Sequence, residues 1–161
     1  MIDVEIEAPD WTRALAEAEA VTLKAAQAAL SFSPSVVTGE VGMIAILLTD
    51  DETVRDLNAR FLGKDKPTNV LSFPAPPGMP GHLGDIALAY GVCAREAEDQ
   101  GKSLAQHLSH LTVHGVLHLL GYDHETDAEA EAMEALERAV LEVLGVPDPY
   151  AADRAPDRSE L

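Results

Sequence analysis

His114, His118 and His124 punctuate the run His114-Gly115-Val116-Leu117-His118-Leu119-Leu120-Gly121-Tyr122-Asp123-His124, and this spacing constrains the fold more than any other stretch of the chain. Residues four apart on a helix project from one face, one turn above the other. The spacing therefore predicts a helix through His118. Gly121 can end that helix in a left-handed conformation that other residues adopt only at a cost. The chain can then turn back and carry His124 towards the same point. Three neutral imidazoles that converge and leave a fourth position open are the arrangement of a catalytic zinc rather than a structural one. One Zn2+ ion held by His114, His118 and His124 is expected, on a helix and the turn that follows it, in a site that works on water.

Zinc peptidases of the metzincin type use His-Glu-x-x-His-x-x-Gly-x-x-His, in which the glutamate is the general base. The three histidines and the glycine fall in register here, but Gly115 stands at the glutamate position. The ligand geometry is kept and the peptidase base is missing. A glycine inside a helix costs about 1 kcal/mol relative to alanine, so a close approach of backbone or substrate is expected there. A peptidase is disfavoured against a hydrolase that uses another base or ion-activated water alone. His107 and His110 share the helix face, which leaves a plain polar stripe as the competing reading. His107 lies about 10 Å along the axis from His114, too far to share one ion. Pairing His110 with His114 is geometrically open, but it leaves His118 and His124 without a role.

The chain's 161 residues, 47% of them apolar, predict one domain over residues 1–150 and a flexible tail over 151–161. No apolar run reaches membrane-spanning length, and the alternating start Met1-Ile2-Asp3-Val4-Glu5-Ile6-Glu7 lacks the organisation of a signal peptide. Cys93 is the only cysteine, which excludes a disulfide framework and a cysteine-rich zinc site. A cytoplasmic protein with no membrane partner is expected. The net charge of −17 argues against capture of nucleic acid by bulk electrostatics. Arg55, Arg60, Lys64 and Lys66 nevertheless gather in one stretch. They can hold a phosphate backbone if they border the site, or simply complement a helix C-terminus.

Periodicity and turn chemistry predict an α+β fold, a small mixed sheet packed with helices. Strands are expected at Ile2–Glu7, Val41–Leu48, Val70–Phe73 and Ile86–Ala89. Helices are expected over Trp11–Leu30, with Trp11, Leu15, Ala18, Val21 and Ala25 near one face, over Asp51–Leu62 up to Gly63, and from Gly91 to Gln100. Ser103 with Gln106 and Thr126 with Glu129 are capping-box signatures for the histidine helix and the last helix. The proline- and glycine-rich stretch from Pro74 to Gly84 reads as a long loop, a candidate substrate loop or lid.

The run His114–His124 resembles the signature of the YbeY family, bacterial endoribonucleases of ribosomal RNA maturation. Gly63-Lys64-Asp65-Lys66-Pro67-Thr68-Asn69-Val70-Leu71-Ser72-Phe73-Pro74 resembles a second block of that family, and Leu83-Gly84-Asp85-Ile86 a third. The likeness runs in order from about Val41 to Tyr150. It implies a zinc-dependent, single-strand-directed endoribonuclease acting in 16S rRNA 3′-end maturation and ribosome quality control, with His114, His118 and His124 as metal ligands. The partners implied are ribosomal RNA, the small ribosomal subunit, and a ribosomal protein or assembly GTPase. Leu62 departs from the pattern, because the family commonly carries an arginine there. Arg60 would point elsewhere on a continuing helix and substitutes only if the helix has unwound, so Lys64 or Lys66 are the alternatives for phosphate contact.

Asp85 and Asp123 are the expected proton handlers, and Lys64 the expected cation. Either aspartate can instead fix a histidine's tautomer. Asp123 also suits a turn, and Asp85 suits backbone capping at a strand start. Thr68 and Asn69 can bond phosphate or serve the turn before a strand. A ribosome-assembly factor with a structural zinc, or less favourably a zinc peptidase, are the alternative functions.

Overall fold

The computed structural model describes residues 2–32, 42–75 and 81–150. In chain order the elements are β1 (Ile2–Ile6), α1 (Asp10–Ala14), α2 (Ala18–Leu30), β2 (Met43–Thr49), α3 (Asp51–Leu62), β3 (Val70–Pro74), β4 (His82–Ala89), α4 (Tyr90–Asp99), α5 (Leu104–Leu119) and α6 (Asp127–Val143). The strands form one mixed sheet in the order β1-β2-β4-β3. β1 and β4 flank β2 in parallel, and β3 runs antiparallel to β4. The expected α+β architecture, a small mixed sheet packed with helices, is what the chain adopts. No helix among the described residues is long and apolar enough to cross a membrane.

Alternation along the strands divides the molecule. Ile44, Ile46 and Leu48 of β2 and Ile86 and Leu88 of β4 point to the inner face, where they join Trp11, Ala25, Leu108, Val113, Leu117, Met133 and Leu141 in the main core. The opposite face carries a smaller cluster, Val54 of α3 with Leu71, Ala87 and Ala89. α5 therefore lies on the inner face, and α3 on the outer one.

Local signals place the helix starts. The Asp50 side chain accepts from Thr53 N at 2.8 Å and caps α3. Both capping boxes form, Ser103 with Gln106 on α5 and Thr126 with Glu129 on α6.

Two expectations need correction. The helix expected over Trp11–Leu30 is broken at Leu15, whose backbone is extended (φ −146°, ψ 97°). The break separates two tertiary demands. Trp11 is fully buried with its ring N–H donating to Thr49 O at 2.9 Å. α2 meanwhile buries Ala18, Thr22, Ala25, Ala26 and Ala29. Both ends of the loop expected from Pro74 to Gly84 belong to strands instead. β4 begins at His82, and Pro74 pairs with Gly84. Pairing β4 with both β2 and β3 satisfies backbone groups that a free loop would leave to water. Residues 76–80, the remainder of that proposed lid, lie outside the described residues, as do Val41 and the tail 151–161.

Candidate metal centre

α5 brings His114 and His118 to one face, and their Nε2 atoms lie 3.1 Å apart. The helix then ends at Gly121, whose φ is +103°. Gly121 N donates to His118 O at 3.0 Å and Tyr122 N to Leu117 O at 3.1 Å, the paired bonds of a Schellman cap. Tyr122 packs against the main core, which fixes the exit direction of the chain. Two residues later His124 comes back to the pair, its ring centroid 5.8 Å from His114 and 5.1 Å from His118. One ring nitrogen from each of the three lies within 4.8 Å of the others, so the cluster could hold a metal ion.

The donor chemistry fits zinc. Nitrogens around a tetrahedral zinc with bonds of about 2.0–2.1 Å stand roughly 3.3 Å apart, close to the His114–His118 spacing. His114 Nδ1 donates to Glu137 Oε2 at 3.0 Å, which leaves its Nε2 lone pair free. Burial holds the His118 pKa below the ordinary histidine value, reinforced by His114 and His124 and opposed by Asp123, so its neutral, ligating form is favoured. The cluster opens into a cavity of ≈ 510 Å³ lined by Leu62, Asn69, Ser72, Tyr122 and Asp123 among others. One side of the cluster thus remains accessible to solvent or substrate.

The other expected site residues divide. Asp123 lines the cavity, and its Oδ1 accepts from His124 N at 2.7 Å, which stiffens the turn carrying the third histidine. Asp85 is not brought to the centre. It lies within β4 rather than at a strand start, shares the outer sheet face with Ala87, and meets His82 Nε2 at 3.2 Å. The alternation that turns Ile86 towards α5 turns Asp85 away from it. Lys64 is exposed beyond the end of α3, in a segment where Arg55 and Asp65 form a two-pronged ion pair. Arg60 stays on the continuing helix. α3 continues to Leu62, and Arg60 pairs with Asp56 on the same helix at 3.1 Å. Asn69 is taken up structurally, its amide donating to Glu96 and its oxygen accepting from Val70 N.

His107 and His110 leave the cluster for other partners. His107 bonds Glu96 at 2.8 Å, and His110 bonds Glu137 at 2.9 Å. Glu137 itself escaped the sequence reading. Its side chain is 1% exposed, and Tyr150 donates a further hydrogen bond to it at 2.5 Å. Donors from His110, His114 and Tyr150 hold its carboxyl down at about 2, against the opposing effect of burial. A signal existed. Met133, Glu137, Val140 and Leu141 follow helical spacing, so an acidic residue occupies the buried stripe of α6.

The family model for Endoribonuclease YbeY matches residues 4–145. The Endoribonuclease YbeY of Rhodopseudomonas palustris (strain ATCC BAA-98 / CGA009) is 56% identical over 155 residues, covering 92% of this chain and 80% of that protein. The Endoribonuclease YbeY of Chelativorans sp. (strain BNC1) is 50% identical over 156 residues, covering 93% of each. Among solved structures, the solution structure of TM1509 from Thermotoga maritima superposes with a TM-score of 0.53 at 21% identity, over 89% of this chain and 91% of that one, a likeness of fold. A family match along most of the chain, relatives at half identity or more and a shared fold agree, and the chain belongs to the endoribonuclease YbeY family, whose members are hydrolases of RNA.

Proposed function

We propose that this protein is a zinc-dependent, single-strand-directed endoribonuclease that acts in the 3′-end maturation of 16S rRNA and in ribosome quality control. The observation that carries the reading is the convergence of three imidazole nitrogens beside an open cavity. The family's name supplies the RNA substrate class.

In this reading residues 1–150 work as one hydrolase domain, and His114, His118 and His124 hold one Zn2+ ion. Zinc so held would supply positive charge opposite a phosphoryl oxygen and activate water near neutral pH. Asp123, beside the third histidine and facing the cavity, is the carboxylate placed to take a proton there. Lys64 and Lys66, exposed in the segment after Leu62, supply cationic charge for flanking phosphates in place of the missing arginine. Asp85 has no part in this chemistry. The net charge of −17 favours presentation of the RNA by the small ribosomal subunit and a protein partner, a ribosomal protein or assembly GTPase, over unaided capture. The cytoplasm is the compartment where such a substrate is met.

The test combines elemental analysis of freshly purified protein with cleavage of precursor 16S rRNA before and after chelation. About one zinc per chain and chelator-sensitive cleavage are expected, with both lost in His114→Ala. Unchanged zinc stoichiometry in that variant refutes the ligand assignment, and cleavage that survives chelation refutes the metal-dependent mechanism.

A further inference from the structure

We propose that Glu137 is a positioning residue for the metal centre: from α6 its carboxylate holds the His114 ring with Nδ1 protonated and Nε2 bare and turned towards His118, while His110 and Tyr150 hold the carboxylate. The proposal rests on reading the three histidines as metal ligands.

The geometry divides the carboxylate into two jobs. Oε2 accepts from His114 Nδ1 at 3.0 Å. Oε1 accepts from His110 Nε2 at 2.9 Å and from Tyr150 Oη at 2.5 Å. A buried carboxylate is costly unless donors surround it, and removing one partner of such a network leaves an uncompensated charge. Met133, Val140 and Leu141 share the same buried helix face, where an apolar side chain would carry no such cost. What the carboxylate does that an apolar residue cannot is dictate which His114 nitrogen carries the proton. A ligating histidine needs its other ring nitrogen committed to an acceptor, and such acceptors commonly set metal affinity by tenfold to a hundredfold.

The division also makes Glu137→Gln informative. Two donors converge on the Oε1 position, so the amide oxygen settles there and the amide nitrogen faces His114. Its N–H groups then require Nδ1 to accept, which moves the histidine proton to Nε2, the atom that must be bare to ligate. The variant is therefore expected to invert the tautomer as well as weaken a contact.

The experiment uses the full chain and zinc alone as the probe. Nitrogen NMR of the metal-free wild type should show His114 protonated at Nδ1, and Glu137→Gln should show it protonated at Nε2. Zinc affinity, measured by competition with a chromophoric chelator, should fall tenfold to a hundredfold in Glu137→Gln. Ile44→Ala, a core truncation on β2 outside α5 and α6, should lower thermal stability and leave zinc affinity within twofold. A wild-type His114 carrying its proton on Nε2 overturns the proposal, and this measurement decides it even if Glu137→Gln fails to fold. Unchanged affinity in a folded Glu137→Gln also overturns it, as does an equal loss in Ile44→Ala, which would make the effect one of general stability. A wild type that takes up no zinc sinks the metal reading itself, whereas zinc bound equally by wild type and Glu137→Gln sinks only the role of Glu137.

Discussion

Ser72 on β3 donates its hydroxyl to the carbonyl of Gly115 on α5 at 3.2 Å, so the sheet meets the histidine helix one residue after His114. A Cβ added at Gly115 would stand 3.1 Å from Cδ1 and 3.2 Å from Cγ2 of Ile86, and 3.2 Å from Ser72 Oγ. The close approach that a mid-helix glycine led us to expect is thus one of protein against protein. The glutamate of the peptidase pattern has no room on this face, because β3 and β4 occupy it.

Gly115→Glu should accordingly destabilise the protein rather than confer peptidase activity. The added side chain must displace Ile86 and Ser72 and bring a carboxylate against apolar surface, a combination of overpacking and charge burial expected to cost about 3 kcal/mol or more. Chemical denaturation should show a lowered midpoint. A variant as stable as the wild type would mean that the helix and sheet can separate at this level at little cost.

Removal of the metal should leave most of the fold in place. The rings cluster beside an open cavity, while Trp11, Ile46, Leu88, Leu108 and Leu117 form a core that needs no ligand to close it. Far-ultraviolet circular dichroism after chelation should retain the helical signal while RNA cleavage is lost. Loss of helical structure in parallel with loss of the ion would instead identify a structural zinc.

Asp50 caps α3, and its bonds with Thr53 hold its carboxyl below the usual aspartate range. Because the folded-state pKa is the lower one, this contribution is complete above the unfolded value of about 3.9 and disappears as pH falls through the folded value. Asp50→Ala should cost about 1 kcal/mol at neutral pH, and Asp50→Asn a few tenths. Denaturation measured from pH 7 downwards should show the Asp50→Ala difference shrinking below about pH 4. A difference that persists unchanged to strong acid would count against the charged cap.

Trp11→Phe should leave the Thr49 carbonyl without the indole donor that reaches it at 2.9 Å in the buried core. The unsatisfied acceptor and the smaller ring together are expected to cost about 1–3 kcal/mol. At about 2–4 °C per kcal/mol for a chain of this size, calorimetry should register a clear drop in Tm. No change would show that water or a shifted neighbour satisfies the carbonyl.

Much of the fold was legible because its signals are local. Ser103 and Thr126 announce two helix starts through bonds spanning three residues. The strand beginning at Ile2 and the one ending near Thr49 show their alternation and apolar character directly. Other features were hidden. The break at Leu15 accompanies the bond from Trp11 to Thr49, 38 positions away. The length of β4 follows from its having partners on both sides. Asp85 sits in a block that matches the family pattern, yet sheet pleat sends it to the face opposite the histidines.

The linear order of residues by itself determined that His114 and His118 share a helix face and that Gly121 can release the chain to bring His124 back, because i, i+4 spacing and left-handed glycine are properties of a few neighbouring peptide units. It also marked Gly115 as a place of close contact. Only the tertiary structure decided what lies behind the cluster. Glu137 is one acidic residue among many on α6 until His110, His114 and Tyr150, lying 27, 23 and 13 positions away, converge on it. A carboxylate is tolerable in the interior only where donors from separate elements meet, and that meeting is created by packing rather than by any local preference of the chain.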